Sequence, residues 1–179
     1  MSEVSVPIKN NFANVASDYE YWQTYRGDRS ADGFRGPQKI KFYNNNTGGT
    51  TTVGQTYLVK TVGVANFSPQ IVTASSAISG LASTDSVQIR VAVALEAVAA
   101  SGWVKCAIEG YVDALVDGTT DVAIGDFLKF APATKTTPIK DGAAETLKSF
   151  AVACEASTAN SANMTRIKMT GKLFYGSVS

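Results

Sequence analysis

The residue types that carry most acid–base and metal chemistry are sparse in this chain. It has no histidine, which removes Ser-His-Asp and Cys-His catalysis and most zinc sites. The most suggestively placed carboxylates are Glu96 and Glu155, which end two similar stretches, Ala92-Val93-Ala94-Leu95-Glu96-Ala97 and Ala151-Val152-Ala153-Cys154-Glu155-Ala156. Paired carboxylates could act on a glycosidic bond. The competing expectation is that each ends a strand at a barrel rim, where a charge blunts further pairing. Asp113, Asp117 and Asp121 recur every fourth residue. On a helix they would share a face and could bind calcium, but the EF-hand spacing is absent and Gly118-Thr119-Thr120 argues for a solvated acidic loop. Cys106 and Cys154 lie in apolar runs without a CxxC spacing. They are expected to be buried reduced thiols, and sequence cannot decide whether they pair. Neither a phosphate-cradling GxxxxGK[ST] nor a GxGxxG is present. The receptor-recognition tripeptide Arg26-Gly27-Asp28 continues into Arg29 and Asp32, a mixed-charge run that suits salt-bridged packing.

Few charges are available to steer a partner. Charged residues are 17% of the 179-residue chain and the net charge is +1. Up to Lys60 there are seven basic against five acidic residues, and beyond it nine against ten. Neither part makes a field that would hold a phosphate backbone, so nucleic acid is not an expected partner. The longest uncharged stretch, Thr61 to Thr84, contains Asn66, Pro69, Gln70 and many hydroxyls, too polar to cross a membrane. Met1 to Ser5 is not a basic-plus-apolar leader. A soluble protein made in a cytoplasm, without a cofactor, is expected.

The elements that must position these residues read as strands. Val87, Ile89, Val91 and Val93 alternate with Gln88, Arg90, Ala92 and Ala94, which predicts a half-buried strand. Trp103 to Val112 predicts a second, and Ala99-Ala100-Ser101-Gly102 a hairpin turn between them. The Ala-rich run 92–100 could be helical by propensity, but the valine alternation favours strand. Gln55 to Val62 reads as another strand, and Asn44 to Thr52 as a polar loop. Gly125-Asp126 reads as a turn delivering a short strand to Phe130. The similarity of the two Ala/Val/Glu stretches continues downstream: each is followed by a small-residue turn, a strand, and a glycine, Gly110 or Gly171. Two copies are too few for a solenoid; they suit a small barrel in which two similar hairpins pair.

The first 50 residues differ. Nearly half of the aromatic rings fall between Phe12 and Tyr43, interleaved with Arg, Lys, Asp and Glu and broken by Gly27, Gly33, Gly36 and Pro37. No strand or helix period fits well. Either the segment packs against a partner or its rings complete the main core. Tyr, Trp and Arg are the types enriched at interface hot spots.

The order Val-Ala-Val-Ala-Leu-Glu-Ala (91–97), turn, Trp-Val-Lys-Cys-Ala-Ile-Glu-Gly (103–110), Ala-Ile-Gly-Asp-Phe-Leu-Lys-Phe (123–130), loop, Phe-Ala-Val-Ala-Cys-Glu-Ala (150–156) and a last strand resembles tailed-bacteriophage capsid decoration (cement) proteins built on a small β-barrel, the β-tulip. The likeness covers about Val87 to Leu173. In that family a hairpin ends in glycine, a Gly-Asp turn leads into a strand, and an Ala/Glu-rich strand closes the barrel.

The resemblance implies a mainly β protein: an N-terminal extended arm and accessory lobe over 1–80 and a β-barrel decoration domain over 81–179. It implies a non-enzymatic virion protein on the outer surface of an icosahedral head, with the major capsid protein as partner, self-association as a homotrimer, and capsid stabilisation as its task. Many weak contacts per particle would then add through avidity. The composition of the arm makes Trp22, Tyr25, Arg26, Arg29, Phe34 and Arg35 the expected capsid contacts. The alternative is a carbohydrate-binding or adhesive β module of a phage fibre or spike, its aromatics forming a sugar platform.

Overall fold

The valine–alanine alternation does form a strand, but one buried on both faces. The computed structural model describes residues 20–26, 35–60, 69–73, 88–117, 119–129, 136–145, 149–158, 162–171 and 173–175. All regular structure among these is β. The strands are β1 (Glu20–Arg26), β2 (Arg35–Asn45), β3 (Thr56–Lys60), β4 (Gln70–Val72), β5 (Gln88–Ala94), β6 (Trp103–Asp117), β7 (Phe127–Lys129), β8 (Ile139–Gly142), β9 (Ser149–Ala153), β10 (Ala162–Met169) and β11 (Leu173–Tyr175). The expected mainly β, barrel-like class holds.

The strands follow the order β1-β2-β4-β3-β5-β6-β10-β9-β7-β8, with β11 on β5 and a further pairing of β2 with β6. That last pairing closes a circuit. β2 pairs with β4 in parallel through Asn44↔Gln70 and Asn45↔Ile71, β4 with β3, β3 with β5, β5 with β6, and β6 returns to β2. A closed circuit leaves no free edge among its members. Beyond it, β6 pairs with β10 over Gly110–Asp117, and β10, β9, β7 and β8 follow in turn. The far end of this run comes back to β6: the Asp117 N–H donates to the Pro138 carbonyl at 2.8 Å. The same device joins β2 to the start of β4, where the Asn44 N–H donates to the Pro69 carbonyl at 3.2 Å. β6 therefore serves two five-strand circuits, its first half one and its second half the other.

The likeness between the two Ala/Val/Glu stretches extends well beyond the hairpins. Strand order β4-β3-β5-β6 in one half is repeated as β8-β7-β9-β10 in the other. The registers agree at the start of each unit and part at the bulge between Leu128 and Lys129. Val93↔Ala107 and Ala94↔Cys106 are matched by Val152↔Lys168 and Ala153↔Ile167. Thr56↔Val93 and Tyr57↔Ala92 are matched by Phe127↔Val152 and Leu128↔Ala151. The turn leading into β3 has the Gln55 N–H on the Thr52 carbonyl at 3.1 Å, and the turn leading into β7 has the Asp126 N–H on the Ala123 carbonyl at 3.1 Å. Each turn is then held to its own hairpin, Gly54 N–H to the Ala94 carbonyl and Gly125 N–H to the Ala153 carbonyl, both at 2.8 Å. Gly54 has φ +83° and Gly125 φ +89°, the conformation that the third position of a type II turn demands and glycine adopts at least cost.

Two apolar clusters stabilise this arrangement. One draws only on the first circuit: Tyr43, Tyr57, Val59, Ile71, Ala92, Ala94, Val104, Cys106 and Ile108. The other takes Ile40, Leu58, Val91 and Val93 and continues through Val112, Ala114, Val116, Leu128, Phe150, Ile167 and Met169. Alternation along β5 thus sorts side chains between two buried clusters: valines to one, alanines to the other. Alanine on that second face leaves room for the Tyr43 and Tyr57 rings in the same cluster. The sequence expectation of one wet face fails because the closed circuit and the strands packed on it cover both sides.

Along the even-numbered positions of β6 the buried side chains pass from one cluster (Val104, Cys106, Ile108) to the other (Val112, Ala114, Val116) across Glu109–Gly110. The register with β2 slips there, Lys39↔Glu109 being followed by Ile40↔Ala107. Ile108 is left as an extra residue, and a bulge of this kind bends its strand and sharpens the twist. Gly110 takes φ +86°, and a Cβ on it would collide with the Pro37 carbonyl oxygen.

The polar loop expected at 44–52 is organised by Asn45, which is 1% exposed. Its amide nitrogen donates to the Gly49 and Val98 carbonyls, each at 2.8 Å, and its Oδ1 accepts from the Thr47 N–H and hydroxyl.

In the aromatic-rich segment, residues 12–19 and 27–34 lie outside the described residues. Contrary to the absence of any strand period, its remaining parts form β1 and much of β2, paired from Glu20↔Lys41 to Arg26↔Arg35. The boundary drawn near residue 80 also lies outside the described residues, and the strands on either side of it, β3 and β5, pair directly.

Candidate interaction surface

The carboxylates singled out by sequence have structural work. Glu96 Oε1 accepts the Lys105 N–H at 2.9 Å, while the Leu95 N–H donates to the Lys105 carbonyl at 2.9 Å. In the second hairpin Glu155 Oε2 accepts the Arg166 N–H at 3.2 Å, and the Cys154 N–H donates to the Arg166 carbonyl at 2.8 Å. Rather than blunting pairing at a rim, each glutamate side chain prolongs its hairpin by one rung.

Only Asp121 of the acidic series lies in a solvated loop. Asp113 and Asp117 belong to β6. Asp113 lies opposite Arg166, with Arg166 Nε 3.8 Å from its Oδ1. Asp117 is buried and accepts the Thr119 N–H at 3.0 Å. Asp121 is exposed, its carbonyl accepting from Lys140 Nζ at 3.3 Å. Among the described residues no group of three or more His, Cys, Asp or Glu could hold a metal ion.

The Gly125-Asp126 turn is where the sequence places it. Asp126 Oδ2 accepts the Ala123 N–H at 2.8 Å and meets Lys140 Nζ at 2.7 Å. The Lys140 hydrogen bond, with help from Ala123, holds the Asp126 carboxyl below the usual carboxylate range. Next to it Asp141 takes Lys129 Nζ at 3.0 Å and the Ser149 hydroxyl at 2.6 Å. These contacts bind β7, β8 and β9 together.

Both cysteines are free; Cys106 is buried and Cys154 half-buried. Burial pushes both thiols up, Cys106 much further. Neither is therefore an activated nucleophile.

Of the expected contact residues, Trp22, Tyr25 and Arg26 fall on β1 and Arg35 opens β2, with Arg26 directly across from Arg35. Arg29 and Phe34 lie outside the described residues. Trp22 is 54% exposed on a strand at the end of the sheet path. Two other large apolar side chains among the described residues are exposed: Val53, 44%, and Ile124, 72%. Sequence reasoning missed both. The available signal was a branched aliphatic before glycine in both Thr52-Val53-Gly54-Gln55 and Ala123-Ile124-Gly125-Asp126.

No family model matches the chain, and no curated protein matches it. Among solved structures it is similar to the head fibre gp8.5 N base of bacteriophage phi29, with a TM-score of 0.47 and 10% identity over 74% of this chain and 94% of that one.

Proposed function

We propose that the chain is a non-enzymatic virion structural protein of a tailed phage that binds the outer surface of the icosahedral head and strengthens contacts between capsomers. Its partners are the major capsid protein and further copies of itself in a homotrimer, and it is made in the host cytoplasm. The supporting observation is that two of the three local features behind the resemblance to decoration proteins are in place, while the hairpin expected to end at Gly110 continues through it to Asp117. The first hairpin's second strand carries a left-handed glycine at Gly110. The Gly125-Asp126 turn feeds β7. The Ala/Glu stretch at β9 binds the second circuit through β7 and β10. The carboxylates that could have done acid–base chemistry are meanwhile committed to backbone and lysine partners. The head contacts are assigned to Trp22, Tyr25, Arg26, Arg29, Phe34 and Arg35.

The test is cosedimentation of the purified protein with expanded heads of its own phage stripped of decoration, alongside sedimentation equilibrium of the protein alone. Saturable binding and a trimer, or a monomer–trimer equilibrium, are expected. Failure to bind such heads at micromolar concentration overturns the reading. A second reading, an adhesive module of a fibre or spike, is favoured by the exposed Trp22 ring, since flat exposed aromatics suit sugar faces. Glycan binding abolished by Trp22→Ala, together with no head binding, would establish it instead.

A further inference from the structure

The sheet path has two ends, and they are finished differently. At one, β8 is tied back to β6 through the Asp117 N–H and the Pro138 carbonyl. At the other, β1 pairs with β2 alone among the described strands. An open edge of this kind is a template for a further strand, and it is usually blunted by lysine, proline, a bulge or shortness. β1 has none of these. It runs seven residues, Glu20-Tyr21-Trp22-Gln23-Thr24-Tyr25-Arg26, and its register with β2 is unbroken. Four of the seven are aromatic or β-branched, the types that favour strands.

The sequence of β1 is also complementary to itself. In an antiparallel pair of β1 strands centred on Gln23, position 20 of each copy lies opposite position 26 of the other, so a glutamate faces an arginine at both ends. Positions 21 and 25 bring tyrosine opposite tyrosine, and the two Trp22 positions become diagonal neighbours on one face. Moving the centre by one residue loses both charge pairs, and a parallel pair would set Glu20 against Glu20 and Arg26 against Arg26. Within one copy Arg26 already stands directly across from Arg35, and like charges placed opposite each other are destabilising. Glu20 of a second copy brings a carboxylate to that end of the β1–β2 ladder.

We infer that β1 is a self-association edge: a second copy of this chain adds its own β1 antiparallel, centred on Gln23, and continues the sheet from one subunit into the other. Such a contact is isologous, with a two-fold axis at Gln23. It is distinct from the three-fold contact of the proposed trimer, and it does not depend on head binding. Adjacent three-fold positions of an icosahedral shell are related by two-folds, so on a head this contact would link one trimer to the next. Backbone groups at the edge make the pairing, which leaves the faces of β1, with the exposed Trp22, available to the head.

The experiment is sedimentation equilibrium of the full chain, over a range reaching millimolar concentration, with Glu20→Arg, Arg26→Glu and an equimolar mixture of the two. Wild-type protein should associate reversibly beyond its smallest species, whether that species is a monomer or a trimer. Each single change sets like charges against each other at both ends of the contact and should weaken this step roughly tenfold. The mixture should restore it, because the two changed positions then face each other and the two unchanged ones do likewise; misfolded chains would not be rescued in this way. In a second variant, Gln23→Cys, position 23 meets its own copy within disulfide reach, so mild oxidation should give linked pairs in excess of the wild-type background. No association beyond the smallest species, single variants that associate as wild type does, a mixture no tighter than its components, or no excess of linked pairs overturns the inference. None of these outcomes touches head binding, which the cosedimentation reads separately.

Discussion

Glu155 Oε2 accepts the backbone N–H of Arg166 at 3.2 Å, and in doing so repeats what Glu96 does for Lys105 at 2.9 Å. The sequence separation is nine residues in the first hairpin and eleven in the second. The connection has lengthened while the rung has stayed. A carboxylate that substitutes for a strand carbonyl has a defined thermodynamic consequence. Glu96→Ala and Glu155→Ala should each lower unfolding free energy by about 1–2 kcal/mol, because a strand N–H loses its acceptor. Glu→Gln, which keeps an oxygen in place, should cost less. Urea denaturation curves of the four variants measure this; indifference to both alanine changes would show that water replaces the carboxylate fully.

Glycine substitutions should separate a crowded position from an open one. Gly110 and Gly125 both have left-handed backbones, but a Cβ at Gly110 meets the Pro37 carbonyl, whereas one at Gly125 meets nothing within 4 Å. Gly125→Ala should cost about 1–2 kcal/mol, the left-handed penalty alone. Gly110→Ala should cost more than about 3 kcal/mol, because β2 or β6 must shift as well. Thermal melts of the two variants would test the ranking, and equal costs would contradict it.

Acid should loosen the second circuit through Asp126. Its carboxyl is held below its ordinary value of 3.8, mainly by the Lys140 hydrogen bond. The stabilisation is therefore full above about pH 5, where even the unfolded chain is ionised, and is lost as pH falls through the depressed folded value. The melting temperature of wild-type protein should drop between pH 5 and pH 2 more steeply than that of Asp126→Asn, which should be less stable at neutral pH and flatter in acid. Parallel curves would remove Asp126 from the account.

The two thiols should differ in reactivity. Cys106 is fully buried and its thiol is raised far above the ordinary value, so it should resist an aromatic disulfide reagent until the protein unfolds. Cys154 is half-buried, and Lys168 and Arg166 partly offset the desolvation that raises it. It should react slowly in the native state. Labelling followed by peptide mass mapping distinguishes them; native modification of Cys106 would contradict the packing described.

Much of this architecture is legible in local sequence. Valines alternating through β5, the Ala99–Gly102 turn, the Gly125-Asp126 turn and the two Ala/Val/Glu stretches all point to strands and hairpins where strands and hairpins form, because backbone preference and side-chain period act over a few residues. The duplicated glutamates were visible as a pattern, but their duty was not: accepting an N–H nine or eleven residues away depends on where the returning strand lies. Trp22 was legible as a contact candidate by type, whereas Val53 and Ile124 were not, since an aliphatic in a turn looks the same whether it is covered or bare.

By itself, then, the sequence determined the mainly β character, the lack of imidazole chemistry and the existence of two related units. Only the tertiary structure decided that β5 is buried on both faces, that Asp113 and Asp117 lie within β6 rather than in a loop, and that β6 is shared by two circuits. The reason is physical: strand propensity is settled by neighbours in the chain, but burial, register and circuit closure are settled by hydrogen bonds between residues far apart in it, such as Asn44 to Pro69 and Asp117 to Pro138.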